Sequence, residues 1–447
     1  MRMASRMRPE RRGKATTHRV AASPSRAHVQ AAIDAASPGD TVSVPAGSAT
    51  WATNLVITSG IELVGAVDET GAPLVLITSA YDGRAQNVET TGAYLIAYNP
   101  SSPSLNQPFR LSGFSIDGNA ICKPVGIFNE TTSPQIYPQT QIRVDHCHLF
   151  NPDEASGRWS YVLLIKGTIY GAVDHNTISG RKDVIKCYGN NNAAWAQLEF
   201  AYGSAAQLYI EDNDIVCDSY PAIEGGVGGR YCARYNRITV GDTSTGENIQ
   251  VFDAHGNTAA SNAGQMGLEV YGNETYAPNA PNGGSHVDHR GGRGLFYENV
   301  IYGPVLYDTY VYCREEENDS TQPPATTDGG MSQHVTDSYY WSNKHGASVG
   351  AATDIATAKY VISSTVDYGG GTGLVPQWDR DCFRHVTSGF NGSAGVGVGL
   401  RSARPSSGLT VGVGYWATDE SVLYRATSAT TWAVHYTPYT YPHPLVS

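Results

Sequence analysis

Hydrophobic and polar residues alternate along most of this chain in short runs, broken by Gly, Pro, Asn and Asp. Period-two alternation bounded by turn formers reads as β-strands. Seven of the runs align on one polar position: IRVDHCHL, YGAVDHNTI, LYIEDNDI, YCARYNRI, LEVYGNET, GLFYENVI and SYYWSNKH. Asn176, Asn213, Asn236, Asn273, Asn299 and Asn343 occupy it, and Cys147 stands there in the first run. Three residues earlier lies Val144, Val173, Ile210, Ala233, Val270, Phe296 or Tyr340; two residues later lies Leu149, Ile178, Ile215, Ile238 or Ile301, with Thr275 and His345 as weaker members. The physical reading is a strand, a sharp bend at Asn, then a second strand. Asn tolerates the left-handed backbone region better than other non-Gly residues, so the bend is expected at Asn itself. Repeated in register, the Asn amides would hydrogen-bond from coil to coil as a ladder.

One helix precedes the strands. Ser23-Pro24-Ser25-Arg26 opens it, Val29, Ala32, Ile33 and Ala36 share one face, and Pro38-Gly39 ends it. GDTVSVPAG and GIELVGA follow. This order resembles the N-terminal cap and first coil of right-handed parallel β-helix proteins of the pectate-lyase-like kind. The resemblance implies an all-β solenoid with a capping helix over its open end, where strand edges and apolar core would otherwise face water. The rungs are 29, 37, 23, 37, 26 and 44 residues apart. Since a coil takes roughly twenty residues or a little more, the longer intervals carry loops or an extra coil. Beyond Lys344 the chain turns Gly-, Ala- and Ser-rich, then aromatic, with Tyr415, Trp416, Tyr424, Trp432, Tyr436, Tyr439 and Tyr441 near the end. Three regions are therefore expected: a basic arm over 1–22, a β-helix with its helix over 23–345, and a capping or oligomerising region over 346–447. The terminal aromatics read as packing against the stack, with a carbohydrate platform as the functional alternative.

Composition narrows the function. With 30 Lys and Arg against 41 Asp and Glu the net charge is −11, which argues against nucleic acid as a partner. No run approaches a membrane span, so no membrane insertion is expected. The 49 Gly and 28 Tyr fit a turn-rich β protein. The seven cysteines show no zinc spacing and read as buried thiols, with room for one bridge. MRMASRMRPERRGKATTHR is dense in arginine, and no apolar stretch of signal-peptide length follows it. It reads as a leader or as a basic tether for an acidic partner.

Alternation also sorts each strand into two faces. The residue two before the Asn position should point outward, giving a column of Asp145, Asp174, Glu211, Arg234, Tyr271, Tyr297 and Trp341. Neighbouring strands lie about 4.8 Å apart. Stacked carboxyls would thus fall near the spacings that suit retaining hydrolysis, about 5–5.5 Å, or inverting hydrolysis, about 6.5–9.5 Å. Asp145, Asp174, Glu211 and Arg234 are the catalytic candidates, and Tyr271, Tyr297 and Trp341 the substrate-binding ones; a solvated acidic stripe or a cation site is the alternative. A lyase would need a basic residue, for which Lys166, Arg181, Lys182, Lys186, Arg230 and Arg234 are available without diagnostic spacing. The resemblance adds Ca2+ as an assistant if the chain is a lyase; no other cofactor and no dedicated metal site is expected. SHVDHRGGRG gathers His286, Asp288, His289, Arg290 and Arg293. It reads as a polar loop between coils rather than a metal site.

The family that the chain resembles mostly binds or cleaves acidic polysaccharides. The resemblance implies a phage-type tailspike or tail fibre that recognises and depolymerises a bacterial surface polysaccharide, perched on a virion tail or baseplate through the basic arm and forming a homotrimer through its C-terminal region. A secreted polysaccharide lyase or glycoside hydrolase, and a non-catalytic adhesive β-helix, are the alternatives.

Overall fold

A computed structural model describes residues 17–101, 107–129, 140–152, 161–189, 202–218, 221–241, 250–256, 264–277, 285–303, 309–314, 334–348, 350–363 and 375–446. Most of the basic arm, 1–16, lies outside the described residues.

Among the described residues three long sheets of 12, 11 and 10 strands lie between His18 and Arg384. Each coil places one strand in each sheet. In one such coil, Ile169–Asp174 belongs to the first sheet, Thr177–Gly180 to the second and Ile185–Tyr188 to the third. Each pairs in parallel with the equivalent strand one coil on, namely Leu208–Glu211, Asp214–Cys217 and Ile223–Gly226. The result is an all-β, three-sheet parallel β-helix. The first sheet continues past the last Asn rung, since Ser338–Trp341 pairs with Cys382–Arg384. Antiparallel pairing enters the second sheet only at its end, where Lys344–Gly346 meets Thr353–Asp354.

The inward column is as the alternation predicts. Val144, Val173, Ile210, Ala233, Val270, Phe296 and Tyr340 are all fully buried in one continuous core. The Asn ladder is present: the backbone N–H groups of Asn176, Asn213, Asn236, Asn273 and Asn299 each donate to the Oδ1 of the next Asn, at 3.0–3.2 Å. Their Nδ2 groups donate to the same oxygens. The bend itself corrects the sequence reading. The left-handed residue is the one before each Asn, with φ near +50° to +65° at His146, His175, Asp212, Tyr235, Gly272, Glu298 and Ser342. Asn is chosen for its buried amide, which serves two coils at once, while the turn strain falls on an outward residue of almost any type.

Helix α1, Arg26–Asp34, is capped by the Ser25 hydroxyl accepting from the His28 N–H, and buries Val29, Ala32 and Ile33. No helix among the described residues is long and apolar enough to cross a membrane. Near the C-terminus, Val396–Gly399, Gly414–Ala417, Val422–Ser428 and Thr431–Tyr436 form a separate 4-stranded sheet. All seven cysteines are buried free thiols.

Candidate active site

The first sheet does stack the expected column. Ser112, Asp145, Asp174, Glu211, Arg234, Tyr271, Tyr297 and Trp341 are consecutive register partners. They face outward from the coil, as alternation requires, yet the expectation that they meet solvent is corrected. Asp145, Asp174, Glu211, Arg234 and Trp341 are 0% exposed, and Tyr271 and Tyr297 are 2% exposed. Over Glu211, Arg234, Tyr297 and Trp341 the cover is the C-terminal region. Tyr297 and Trp341 stack at 4.3 Å between ring centres, and Trp416 lies 5.2 Å from both. The Tyr297 and Tyr436 hydroxyls bond each other at 3.0 Å. Further along, Arg234 donates to the Tyr439 and Thr440 carbonyls at 2.8 Å, and the His443 N–H donates to Glu211 at 2.7 Å. An aromatic stripe on a solenoid is a large apolar surface, and the aromatic C-terminal segment covers it.

The acids of this column are also saturated. Arg110 grips Asp145 through two bonds of 2.8 and 2.7 Å, Ser112 adds a third, and Arg143 grips Asp174 at 3.0 and 2.9 Å. Burial would raise the Asp145 carboxyl, but Arg110, His146 and Arg143 together hold it below its ordinary value. Burial raises the Glu211 carboxyl despite its ion pair with Arg234. The carboxyls are brought together, each clamped by arginine.

A second column, on the third sheet, concentrates ionisable groups of a different character. Lys186, Glu224, Asp253 and Asp288 are successive register partners, followed by Tyr312. Each charged residue sits between inward neighbours of the core: Ile185 and Cys187, Ile223, Phe252 and Ala254, and Val287. Period-two geometry therefore turns the charges outward. Lys186 Nζ lies 2.6 Å from Glu224, and His255 Nε2 lies 3.0 Å from Glu224 and 3.3 Å from Asp253. Arg290 closes on Asp253, and its Nε stands 3.4 Å from Asp288. Arg314 pairs with Asp288 at 2.8 Å and Gln250 donates to it at 2.7 Å. Tyr161 and Tyr188 flank the Lys186 ammonium at 4.7 and 4.9 Å. Glu224, Asp253 and Asp288 are 1–2% exposed, as buried as the acids of the first sheet, but the His255 and Arg314 side chains beside them reach solvent, at 26% and 19% exposure.

These surroundings drive the protonation states apart. Burial and the Glu224 charge push the Asp183 carboxyl well above its ordinary value. Burial opposes the Glu224 charge too, yet Lys186 and His255 outweigh it and hold that carboxyl well below. Burial, only partly offset by Arg290 and His255, pushes Asp253 up to about 6. Burial also works against a charged His255, but the Asp253 and Glu224 carboxylates hold the imidazolium up to about 10. Glu224, Asp253 and His255 offer ligand atoms within 4.8 Å of one another. That donor set does not fit Ca2+: it has one nitrogen, and its carboxylates are already neutralised by Lys186 and Arg290, whereas Ca2+ takes about six to eight oxygens.

The reading of SHVDHRGGRG as a loop is corrected as well. Ser285–His289 is a third-sheet strand. Asp288 and Arg290 belong to the charged cluster, whereas His286 and His289 turn inward to Thr275 Oγ1 and the Tyr340 hydroxyl at 2.9 and 2.6 Å. Arg293 sits in the next first-sheet strand, 3.8 Å from Asp337. Of the basic candidates, Lys186 joins the cluster, Lys166 pairs with Glu89 at 2.9 Å, and burial pushes Arg230 down to about 9. Glu224, Asp253 and His255 were missed, and Asp288 and Lys186 were named without being brought together, because no rung residue marks the third sheet. The available signal was a charge flanked by core residues, as in VIKC, AIEG, VFDA and HVDH.

No family model matches the chain, and no curated protein matches it. Among solved structures it is similar to the Family 28 exopolygalacturonase of Yersinia enterocolitica, with 13% identity over 71% of this chain and 68% of that one and a TM-score of 0.34. It is similar to the A-module of the Azotobacter vinelandii mannuronan C-5 epimerase AlgE6, with 14% identity over 79% and 96% and a TM-score of 0.36. It is also similar to tailspike protein 3 of bacteriophage CBA120, with 12% identity over 88% and 64% and a TM-score of 0.25. The likeness is one of fold.

Proposed function

We propose that this chain depolymerises an acidic polysaccharide by hydrolysis on the outer face of the third sheet. The observation that carries the reading is the pair Glu224 and Asp253 on adjacent coils: Glu224 is held ionised, while Asp253 is raised to about 6 and so carries its proton only below that pH. Two titratable groups pushed apart in this way supply a proton donor and a nucleophile or base. Asp253 is the donor to the leaving oxygen and Glu224 the ionised partner. Arg290 and His255 hold Asp253 in place, and Lys186 holds Glu224. Arg314 and Tyr312, which stack at 5.3 Å beside Asp288, offer a cation and a ring face to the next sugar of a uronate chain.

Hydrolysis is favoured over β-elimination by the state of the bases. Elimination needs a neutral base at the ring proton. Against burial, the Glu224 carboxylate holds both Lys186 and His255 protonated. Incubation with polyuronates tests this: new reducing ends without absorbance from unsaturated ends are expected, and unsaturated ends would replace hydrolysis with elimination. The setting we assign is a phage-type tailspike working as a homotrimer on a virion tail. Sedimentation velocity of the full chain should show a trimer; a monomer would instead favour a secreted enzyme.

A further inference from the structure

The C-terminal 4-stranded sheet carries a pocket of about 520 Å³, lined by Arg401, Arg404, Pro405, Asp419 and Trp432 with serine and threonine hydroxyls around them. Its charged groups differ sharply in how they are engaged. Asp419 accepts from the Arg401 backbone N–H at 2.8 Å, and the Arg401 guanidinium pairs with Glu420 at 2.7 Å. Glu420 in turn accepts from the Tyr424 hydroxyl at 2.6 Å, and the Trp432 indole donates to the Pro405 carbonyl at 2.7 Å. Arg404 is left over. Its guanidinium carbon lies 4.0 Å from the Tyr424 ring centre and 5.4 Å from that of Trp432. Its Nη1 is buried without a hydrogen-bond partner, and among the described residues it joins no ion pair.

A buried guanidinium nitrogen with no acceptor is costly unless a ligand supplies one. The rings hold the guanidinium plane fixed, which suits two-point recognition of a carboxylate. The indole face and hydroxyl rim suit a sugar ring. We propose that this pocket is a second glycan site, separate from the third-sheet column, which binds a uronate residue through the Arg404 guanidinium and the Trp432 face. It would tether the polymer, and it carries out no chemistry.

The test uses the full chain carrying Asp253→Asn, so that binding is read apart from cleavage, in affinity electrophoresis with polygalacturonate as probe and dextran as neutral control. Retardation by polygalacturonate alone is expected. Adding Arg404→Gln or Trp432→Ala should weaken it about tenfold, a size typical for loss of one desolvated ionic and stacking contact. Arg404→Lys, which keeps the charge and loses the plane, should fall between, with an unchanged circular dichroism spectrum confirming the fold. Equal retardation by dextran, no retardation at all, or retardation indifferent to Arg404 and Trp432 would each overturn the site. Arg404-dependent retardation, together with a wild-type chain that cleaves no polysaccharide, would leave the site standing and remove the hydrolase reading.

Discussion

Asn236→Ala cuts one rung from the middle of the ladder, and its cost follows from the bonds around it. The Asn236 Oδ1 accepts the Asn213 backbone N–H at 3.1 Å and the Asn213 Nδ2 at 2.9 Å. Its Nδ2 donates to the Ile210 carbonyl at 2.8 Å, to the Arg234 carbonyl at 3.1 Å and to Asn273 Oδ1 at 2.9 Å. The Asn213 Nδ2 keeps the Val173 and Glu211 carbonyls as acceptors, and Asn273 Oδ1 keeps the Asn236 backbone N–H. Three groups therefore lose their side-chain partner: the Asn213 backbone N–H and the Ile210 and Arg234 carbonyls. At about 1–3 kcal/mol for each buried unsatisfied group, the variant should lose at least about 3 kcal/mol. Asn236→Asp should lose no less, because it buries a charge and removes both donors. Urea titration followed by far-UV circular dichroism measures the loss, with Asp214→Ala, exposed just beyond the neighbouring rung, as a control expected within about 0.5 kcal/mol of wild type. If Asn236→Ala and Asp214→Ala unfold at the same midpoint, the ladder does not hold the stack together.

Two other outcomes follow from buried groups. Burial depresses His286 to about 3 and His289 to about 4, so both are neutral in the folded chain at pH values where an unfolded histidine is charged. Their contribution is complete above the unfolded value near 6.5 and is lost as pH falls from there toward 4. The thermal midpoint should therefore drop across that window, and a midpoint that is flat or rises would contradict their burial as neutral rings. Cys313 and Cys382 lie 3.5 Å apart between sulfurs, yet all seven cysteines are free and buried. Ellman's reagent should find none in the native chain and all seven after denaturation; five after denaturation would reveal a bridge.

The ladder, the inward column and the stacking order of the first sheet were legible because a single residue type recurs in matched apolar context. Asn176 through Asn343 set a common register, and period-two alternation did the rest. Two things escaped. Burial of Glu211, Arg234, Tyr271, Tyr297 and Trp341 depends on a segment some two hundred residues away in sequence for Arg234 and Tyr439, and local alternation says which way a side chain points but not what lies over it. The third-sheet cluster escaped because its strands follow connections of unequal length, so Lys186, Glu224, Asp253 and Asp288 share no spacing. Their alignment is a property of the coil and not of the local sequence.

The proposed hydrolysis lies on the third sheet and not on the acid column of the first. Reducing-end release from a polyuronate, measured near pH 5 where Asp253 is largely protonated, tests it with four substitutions of the full chain. Asp253→Asn and Glu224→Gln should each lower turnover at least about a hundredfold, the scale of a lost acid or base, while Asp145→Asn and Asp174→Asn should leave turnover in chains that remain folded. Loss of turnover in a folded Asp145→Asn or Asp174→Asn chain, with Asp253→Asn and Glu224→Gln still active, would move the active site to the first sheet and contradict the account.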